Sequence, residues 1–268
     1  MSQSQNHTGC RMCREGGVAP EFTMAFQPIV EVSSGSVFAH EALVRPLGDG
    51  DAHQVLSRIT DENRYAFDQA CRVKAITLAA SLGMRSLLNI NFLPNAVYQP
   101  AACIRSTLEA ATRSGMPLEQ IVFEVTEDER SRDAAHLRAI FTEYKRHGMR
   151  TAIDDFGAGH SGLNLLAQFQ PDIVKVDMAL TRGIHTDRVR RVITRTIVQM
   201  CEQLGITVIA EGIESLEEAL CLRELGINLQ QGYYYARPAR EALPPVRAQS
   251  LRAVHAQFEE YVLAHAAS

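Results

Sequence analysis

Short apolar runs alternate with longer stretches of helical periodicity along most of this chain. Two β-like runs, residues 23–32 and 37–45, flank a Ser/Gly turn and predict an opening antiparallel hairpin. Six further runs begin at residues 86, 121, 150, 172, 207 and 229. Strands that alternate with helices indicate a parallel sheet with covered faces. Because single α/β barrels often use roughly 250 residues, this 268-residue chain favours a closed barrel over an open doubly wound sheet.

Helix candidates lie between the apolar runs. They span residues 62–83, 133–148, 188–205 and 216–226, and each ends in glycine, which suits a helix C-cap. Single cysteines stand within helix-like apolar segments, which predicts buried free thiols for Cys71, Cys103, Cys201 and Cys221.

Each apolar run ends in a polar or charged residue. These residues are, in chain order, Glu41, Asn91, Glu124, Asp154 with Asp155, Lys175, Glu211 and Gln231. In a β/α barrel the carboxyl ends of the strands converge on one face, where active sites are built. A charged side chain within a strand is costly to bury unless it is paired or bound to metal. Seven successive strand ends of this kind therefore predict a site.

Carboxylates and a carboxamide are oxygen ligands that suit Mg²⁺ or Mn²⁺. No cluster of His and Cys accompanies them, which argues against zinc at this site. Asp154 and Asp155 are adjacent, so one carboxylate can bridge two ions while the other binds only one. Two ions about 3.5–4 Å apart are the usual clamp for an in-line displacement at phosphorus.

Two basic residues stand close to these acids in the sequence. Lys175 lies between apolar neighbours in a strand, so it must face carboxylates or phosphate to stay charged. A salt bridge with Asp177 is one interpretation, and positioning or deprotonating an attacking water is the other. Arg45 follows Glu41 by four residues, a spacing that places it at the rim of the same mouth. There it is either simply solvated or grips a phosphate.

At this point the residues resemble the EAL domain family. The chain contains Glu41-Ala42-Leu43 within EALVR, the signature that names the family. Further motifs follow in the family's order and spacing, and they include Gln27-Pro28-Ile29, Asn91 in NINFLP, Glu124-Val125-Thr126-Glu127, Asp154-Asp155-Phe156-Gly157, Lys175-Val176-Asp177, Ala210-Glu211-Gly212-Ile213-Glu214 and Gln231-Gly232-Tyr233. The resemblance covers roughly residues 22–240. It implies an α/β fold, a modified TIM-type (β/α)8 barrel with one antiparallel strand at the opening hairpin.

The resemblance further implies hydrolysis of cyclic di-GMP to linear pGpG with two Mg²⁺ or Mn²⁺ ions. One ion would take the ligands Glu41, Asn91, Glu124 and Asp154, and the second would take Asp154, Asp155 and Glu211. The catalytic group would be Lys175 and Gln231, which hold the attacking water, together with Glu41 and Glu211. Substrate contacts would come from Arg45, which binds phosphate, and from Gln27, Leu43 and Asp177. The lid loop and the metal shell would be supported by Thr126, Glu127, Glu214, Phe156 and Gly157.

The loop after the paired aspartates departs from the family. Its usual sequence is close to DDFGTGYSSL, whereas this chain reads DDFGAGHSGL, with Ala158, His160 and Gly162. In the asparagine motif, Leu93 stands where Ser is commoner. These changes remove no metal ligand, so they bear on regulation or rate. The glycines of this loop suit a lid that orders around metal or substrate.

The predicted domain organisation has three parts. Residues 1–20 form a flexible tail, residues 21–245 form the EAL phosphodiesterase domain, and residues 246–268 form a C-terminal amphipathic helix. That helix places Leu251, Val254, Phe258 and Val262 on one face, to pack on the barrel or on a partner subunit. In the tail, His7, Cys10 and Cys13 have the spacing of half a zinc site. A redox pair and two incidental thiols are the other interpretations.

Charge and hydropathy exclude several classes of partner. The formal net charge of −4 gives no basic field for duplex nucleic acid. No apolar run approaches the roughly 20 residues of a membrane helix, and the first residues lack a secretory pattern, so we expect a cytoplasmic protein without a membrane partner. The resemblance suggests a homodimer built near the lid loop. Two other functions stay open, namely a non-catalytic cyclic di-GMP receptor that acts through a protein partner and an unrelated carboxylate-rich barrel such as a metal-dependent lyase.

Overall fold

Nine strands make up the sheet in the computed structural model, which describes residues 17–127, 134–159 and 162–266. The strands are β1 (Thr23–Glu31), β2 (Ser36–Arg45), β3 (Leu87–Asn91), β4 (Ile121–Thr126), β5 (Arg150–Phe156), β6 (Ile173–Val176), β7 (Thr207–Ala210), β8 (Leu229–Gln230) and β9 (Ala239–Arg240). Strands β1 to β8 close into a ring, since β1 pairs with both β2 and β8.

The ring has one reversed member. Strands β2 to β8 run parallel to their neighbours, whereas β1 is antiparallel to both β2 and β8. Gly35, with φ +72, closes the turn from β1 into β2 in a left-handed conformation that glycine adopts readily. Strand β9 lies outside the ring, antiparallel to β1. The predicted modified (β/α)8 barrel with one antiparallel strand is confirmed.

Helices cover the outside of the ring. They are α1 (His53–Leu56), α2 (Arg64–Ser81), α3 (Pro100–Cys103), α4 (Arg105–Ser114), α5 (Ala134–Arg146), α6 (Gly162–Gln168), α7 (Met178–Thr181), α8 (Arg188–Leu204), α9 (Leu216–Glu224) and α10 (Ala248–Ala266), with 3₁₀ turns at Pro94–Ala96 and Leu118–Gln120. The four predicted helices are confirmed as α2, α5, α8 and α9. The predicted free thiols are confirmed too, because all four cysteines are buried and unpaired.

An apolar layer fills the barrel interior below the site. Each of seven strands contributes one buried side chain to it, and together these are Ile29, Ala39, Val122, Ala152, Ile173, Ile209 and Leu229. Leu87 of β3 packs against the same cluster. Because successive side chains of a strand point to opposite faces, the next inward position lies two residues away. This layer is therefore the floor on which the next interior layer rests.

The C-terminal helix α10 packs on its own chain. Val254 is fully buried and Leu251 packs against the same cluster as Ala219 and Leu222 of α9. The guanidinium of Arg223, also in α9, lies 3.9 Å from the ring centroid of Phe258. The tail residues His7, Cys10 and Cys13, together with His160 and the side chain of Val262, lie outside the described residues. The three-part domain division stays a prediction. Among the residues described, no helix combines the length and apolarity of a membrane span.

Candidate active site

A polar layer lies directly above the apolar floor of the barrel. It is reached by moving two residues along each strand, or two residues back in the reversed strand β1. The members found in this way are Gln27, Glu41, Asn89, Glu124, Asp154, Lys175, Glu211 and Gln231. All of them are buried except Glu211, which is half-buried. The two-residue period of a β-strand thus converts a ring of aliphatic side chains into a ring of chemistry.

Lys175 stands at the centre of this layer. Its fully buried Nζ lies 2.7 Å from Glu211 Oε1, 3.0 Å from Asp154 Oδ1, 3.2 Å from Glu124 Oε2 and 3.4 Å from Glu41 Oε2. The predicted alternative partner, Asp177, instead caps α7 by accepting a hydrogen bond from the Ala179 amide at 2.8 Å. The structure therefore pairs the lysine with the strand-end carboxylates.

Burial and crowding change the ionisation of this cluster. Burial raises the pKa of Glu124 to about 8, with Asp154 and Glu41 adding to the rise while Lys175 opposes it. Burial and the Asp154 charge also hold the pKa of Glu211 well above its ordinary value. Burial opposes the charge on Lys175, yet the carboxylates outweigh it and raise the pKa of Lys175. A single ammonium therefore faces more negative charge than it can neutralise.

Glu41 is held by amide groups on both of its oxygens. Gln231 Nε2 donates to Glu41 Oε2 at 2.7 Å, and Asn91 Nδ2 donates to Glu41 Oε1 at 3.0 Å. Gln231 also donates to Gln27 Oε1 at 3.3 Å, and Gln27 donates in turn to the Ala236 carbonyl at 3.2 Å. These bonds fix the carboxylate before any ligand binds, which is how a site is preorganised.

Asn89 belongs to the site although sequence reasoning passed over it. Its Nδ2 donates to Glu124 Oε1 at 2.5 Å, and the whole residue is buried. The signal was present in the sequence, because Asn89 precedes Asn91 by two residues and so shares its face of β3. Asn89 thus orients the Glu124 carboxylate on the side opposite Lys175, which contacts the other oxygen of Glu124.

A bulge in β5 brings the second aspartate towards the site. The register between β5 and β6 shifts between Ile153 and Phe156, and Asp155 has φ +53. An aspartate adopts this left-handed conformation more easily than most residues, and bulges of this kind re-aim side chains beside active sites. Burial, Asp154 and Asp177 together raise the pKa of Asp155 to about 6. Regular alternation would have pointed Asp155 away from Asp154.

The carboxylates form two groups that fit metal ions. Glu41, Glu124 and Asp154 make up the first group, and Asp154, Asp155 and Glu211 make up the second, with ligand oxygens within 4.8 Å of one another in each. Asp154 is common to both, as a carboxylate that bridges two ions must be. Donor sets of carboxylate oxygen suit hard divalent cations. The residues therefore fit two such ions.

Glu127 anchors the loop that follows the paired aspartates. Its Oε2 accepts hydrogen bonds from the amides of Gly157, at 2.7 Å, and Gly159, at 3.3 Å, and its Oε1 accepts one from Gly162 at 2.6 Å. Phe156, just before the loop, is buried, and Thr126 pairs in register with Asp154. The predicted lid-supporting residues thus surround the base of this loop.

A second buried glutamate holds the loops on the opposite side of the mouth. Glu218 Oε1 accepts from the Gly183 amide at 2.8 Å, and its Oε2 accepts from Glu214 at 2.9 Å and Ser215 at 3.1 Å. With Ser215 it forms a capping box for α9, a pattern readable as S-x-x-E in the sequence but not recognised there. Glu214 itself forms an ion pair with Arg182.

Two cavities flank the polar layer. One, of about 280 Å³, is lined by residues that include Gln27, Glu41, Asp155, Glu211 and Tyr233. The other, of about 250 Å³, is lined by Leu43, Arg45, Asn91 and Thr126 among others. Asp177 lines neither of them. The structure thus brings Arg45 and Leu43 to one side of the carboxylates and Gln27 to the other.

Comparison with known proteins identifies similar chains. The family model described as "EAL domain" matches residues 12–238. The blue light- and temperature-regulated antirepressor BluF of Escherichia coli K12 is 30% identical over 223 residues, which is 83% of this chain and 55% of BluF. The probable cyclic di-GMP phosphodiesterase PdeD of the same organism is 29% identical, covering 81% of this chain and 42% of PdeD. The chain thus spans about half the length of these relatives.

Solved structures show the same fold. A standalone versatile EAL protein from Vibrio cholerae O395, in its c-di-GMP bound form, is 53% identical, with a TM-score of 0.84 over 87% of this chain and 99% of that one. The pH 9.0 manganese/cy-diGMP complex of Klebsiella pneumoniae BlrP1 is 38% identical, with a TM-score of 0.78 over 82% of this chain and 56% of that one.

Proposed function

This chain belongs to the EAL domain family, and on that premise we propose that it is a metal-dependent phosphodiesterase that hydrolyses cyclic di-GMP to linear pGpG. The observation that carries the proposal is the complete polar layer, in which two carboxylate groups share Asp154 around the buried Lys175. The similar Vibrio protein binds c-di-GMP and the similar PdeD is named as a probable phosphodiesterase, which supports the choice of substrate and reaction.

The proposed metal sites follow the two carboxylate groups. One ion would be held by Glu41, Glu124 and Asp154 together with Asn91, and the other by Asp154, Asp155 and Glu211. When bound, two Mg²⁺ or Mn²⁺ ions would supply Lewis-acid polarisation of the phosphodiester and a lowered pKa of the attacking water. The manganese complex of BlrP1 supports a divalent ion in this kind of site.

The chain's own residues would position the reactants. Lys175 supplies a fixed positive charge in a water-poor setting, where it orients the attacking water and offsets charge on the phosphate. Gln231, held against Glu41 at 2.7 Å, can turn its carbonyl oxygen towards the same water. Arg45, at the rim of the 250 Å³ cavity, would grip the second phosphate. Gln27, Leu43 and Asp177 complete the proposed substrate contacts.

We also propose a homodimer built beside the lid loop. Leu163, Val192 and Ile193 are exposed and line a 460 Å³ cavity together with Glu127 and Gly157. Exposed apolar side chains in one patch are typical of protein interfaces. A partner on this face would contact the very loop that Glu127 anchors. A cytoplasmic location, and the absence of duplex nucleic acid as a partner, stay predictions.

A non-catalytic cyclic di-GMP receptor is the second candidate, because the relative BluF is named as an antirepressor. Such a protein would bind the dinucleotide and signal through a partner without releasing product. The full set of carboxylates with Lys175 and Gln231 argues for the enzyme, since a receptor has no need of a water-positioning group.

One incubation separates the two candidates. Purified protein is mixed with cyclic di-GMP and Mg²⁺ or Mn²⁺, and products are resolved by chromatography, with Glu41→Ala and EDTA as controls. We expect linear pGpG only when both metal and Glu41 are present. Binding without product would support the receptor, and neither binding nor product would remove cyclic di-GMP as the ligand.

A further inference from the structure

The 280 Å³ cavity beside the carboxylates has an unexpected apolar part. Most of its lining is acidic or amide, yet Met178 and Tyr233 also line it. Met178 is 46% exposed and Tyr233 is 42% exposed, which places both among the exposed large hydrophobic residues of the described chain. An exposed aromatic ring inside a charged cavity has no folding role that explains it. Such a ring suits a ligand that carries both a charged and a flat apolar part.

The backbone below Tyr233 is tightly fixed. A Cβ at the preceding Gly232 would lie 2.0 Å from the Ile213 carbonyl oxygen, so the two loops touch through backbone alone. The Tyr233 carbonyl accepts a hydrogen bond from Arg247 Nη1 at 2.8 Å. Both constraints act on the main chain, so the tyrosine side chain is presented from a rigid support.

The ring of Tyr233 is already covered by a cation. The guanidinium carbon of Arg237 lies 4.3 Å from the ring centroid, a distance at which cation–π attraction operates. Tyr233 also follows Gln231 by two residues, and Gln231 donates to Glu41 at 2.7 Å. The ring therefore stands close to the layer at which a phosphodiester would be cleaved.

We propose that Tyr233, backed by Arg237, is the stacking platform for one purine base of the substrate, an inference that rests on the proposed function. Proteins hold unpaired bases by stacking them on aromatic rings, which is sequence-tolerant because every base has a π-face. Met178, whose Cβ lies against Gly212, forms a second apolar wall of the same cavity. The base subsite thus adjoins the carboxylates on the side opposite Arg45.

The test compares a substrate that has bases with one that has none. For each variant the kcat/KM for cyclic di-GMP is divided by the kcat/KM for bis(p-nitrophenyl) phosphate, and the Kd for cyclic di-GMP is measured by calorimetry in Ca²⁺. In Tyr233→Ala we expect this ratio to fall, and the Kd to rise, roughly ten- to hundredfold. Tyr233→Phe and Tyr233→Trp keep an aromatic face, so both should stay near wild type.

The matched control is Tyr98→Ala, which removes a tyrosine that is 64% exposed and lines neither flanking cavity. Circular dichroism of each variant checks that the fold is kept. A Tyr233→Ala protein within twofold of wild type in both ratio and Kd would overturn the platform. Wild-type protein that binds without turnover would defeat the proposed function alone, because the Kd still judges the platform. Wild-type protein that neither binds nor cleaves would overturn both.

Discussion

Lys175 Nζ lies 2.7 Å from Glu211 Oε1, the shortest of the four ion pairs that this lysine makes with the described carboxylates. Removing one partner of a buried ion pair leaves uncompensated charge, at a cost of about 3–5 kcal/mol. Since burial already raises the pKa of Glu211, protonation offsets part of that loss. We predict that Lys175→Met lowers the free energy of unfolding by about 3 kcal/mol in EDTA, measured by urea denaturation.

The control for this prediction is Lys145→Met. Lys145 pairs with Asp172 at 3.1 Å, but both side chains are more than a third exposed, and such pairs contribute about 1 kcal/mol or less. Added Mn²⁺ should recover more stability in Lys175→Met than in wild type, because divalent charge replaces the missing ammonium. Equal losses in the two lysine variants would mean that Lys175 does not neutralise the cluster.

Asp154 is the carboxylate common to both proposed metal groups, and this predicts two different stoichiometries. Asp155→Asn weakens only the second group, so calorimetric titration with Mn²⁺ should find one tight ion where the wild type binds two. Asp154→Asn weakens both groups, and we expect no tight ion and at least a thousandfold loss of cyclic di-GMP turnover. Identical stoichiometry in the two variants would argue against a bridging role for Asp154.

The Glu127 carboxylate accepts three amide hydrogen bonds from the loop of residues 157–162. Hydrogen bonds to a charged acceptor contribute about 1.5–3 kcal/mol each, and Glu127→Gln keeps the shape but loses the charge. We predict at least tenfold faster amide hydrogen exchange at Gly157 and Gly162. The Leu88 amide in the core of β3 serves as the internal reference, and an unchanged loop would show that Glu127 does not hold it.

Much of the site could be predicted because strand alternation is simple. Apolar residues two positions before Glu41, Glu124, Asp154 and Glu211 follow directly from a period of two, and so does the meeting of strand ends on one face. The helices that end at glycine were equally legible, as Gly205 with φ +68 at the end of α8 shows.

The remaining features depend on contacts that a linear pattern does not contain. The bulge that turns Asp155 is a register shift between β5 and β6, and neither strand alone encodes it. The buried pair Asp68–Arg72, at 2.6 Å in α2, sits in a helix whose sequence suggests only an amphipathic surface. Asn89 and Glu218 did carry readable signals, a shared strand face and a capping box, and they were passed over because attention rested on strand ends.

Glu218 gives a prediction of pH dependence. Burial opposes its ionisation, but the amides of Gly183, Glu214 and Ser215 outweigh burial and lower the pKa of Glu218. A carboxyl whose pKa is lower in the folded than in the unfolded protein stabilises the fold above the unfolded pKa. That stability is lost as pH falls through the folded pKa.

We therefore predict that Glu218→Gln lowers the free energy of unfolding by about 1–2 kcal/mol at pH 7, as measured by urea denaturation. The difference from wild type should shrink as pH falls below the ordinary glutamate pKa of about 4.3. The neighbouring exposed Glu217, changed to Gln, is the control and should show little difference at either pH. A Glu218→Gln deficit that is constant across pH would exclude the charge as its cause.

Two glycine substitutions separate steric contact from backbone conformation. At Gly232 an added Cβ would lie 2.0 Å from the Ile213 oxygen and 2.3 Å from its nitrogen, both backbone atoms that cannot move aside. At Gly205 a Cβ meets nothing within 4 Å, and only the left-handed φ of +68 is unfavourable. We predict a loss of more than 4 kcal/mol, or no folded protein, for Gly232→Ala. Gly205→Ala should lose about 1–2 kcal/mol. Equal melting temperatures would show that the Ile213 contact can relax.

The reversed direction of β1 decides where the chain enters the barrel. Thr23, at the start of β1, pairs with Arg45 at the end of β2, so the segment from Gly17 arrives on the same face as the carboxylates. A parallel first strand would have admitted it at the apolar floor instead. Whatever is joined ahead of Gly17, whether a natural extension or an affinity tag, is delivered to the mouth through which substrate must pass. The length and charge of an amino-terminal fusion are therefore kinetic variables in any assay of this protein.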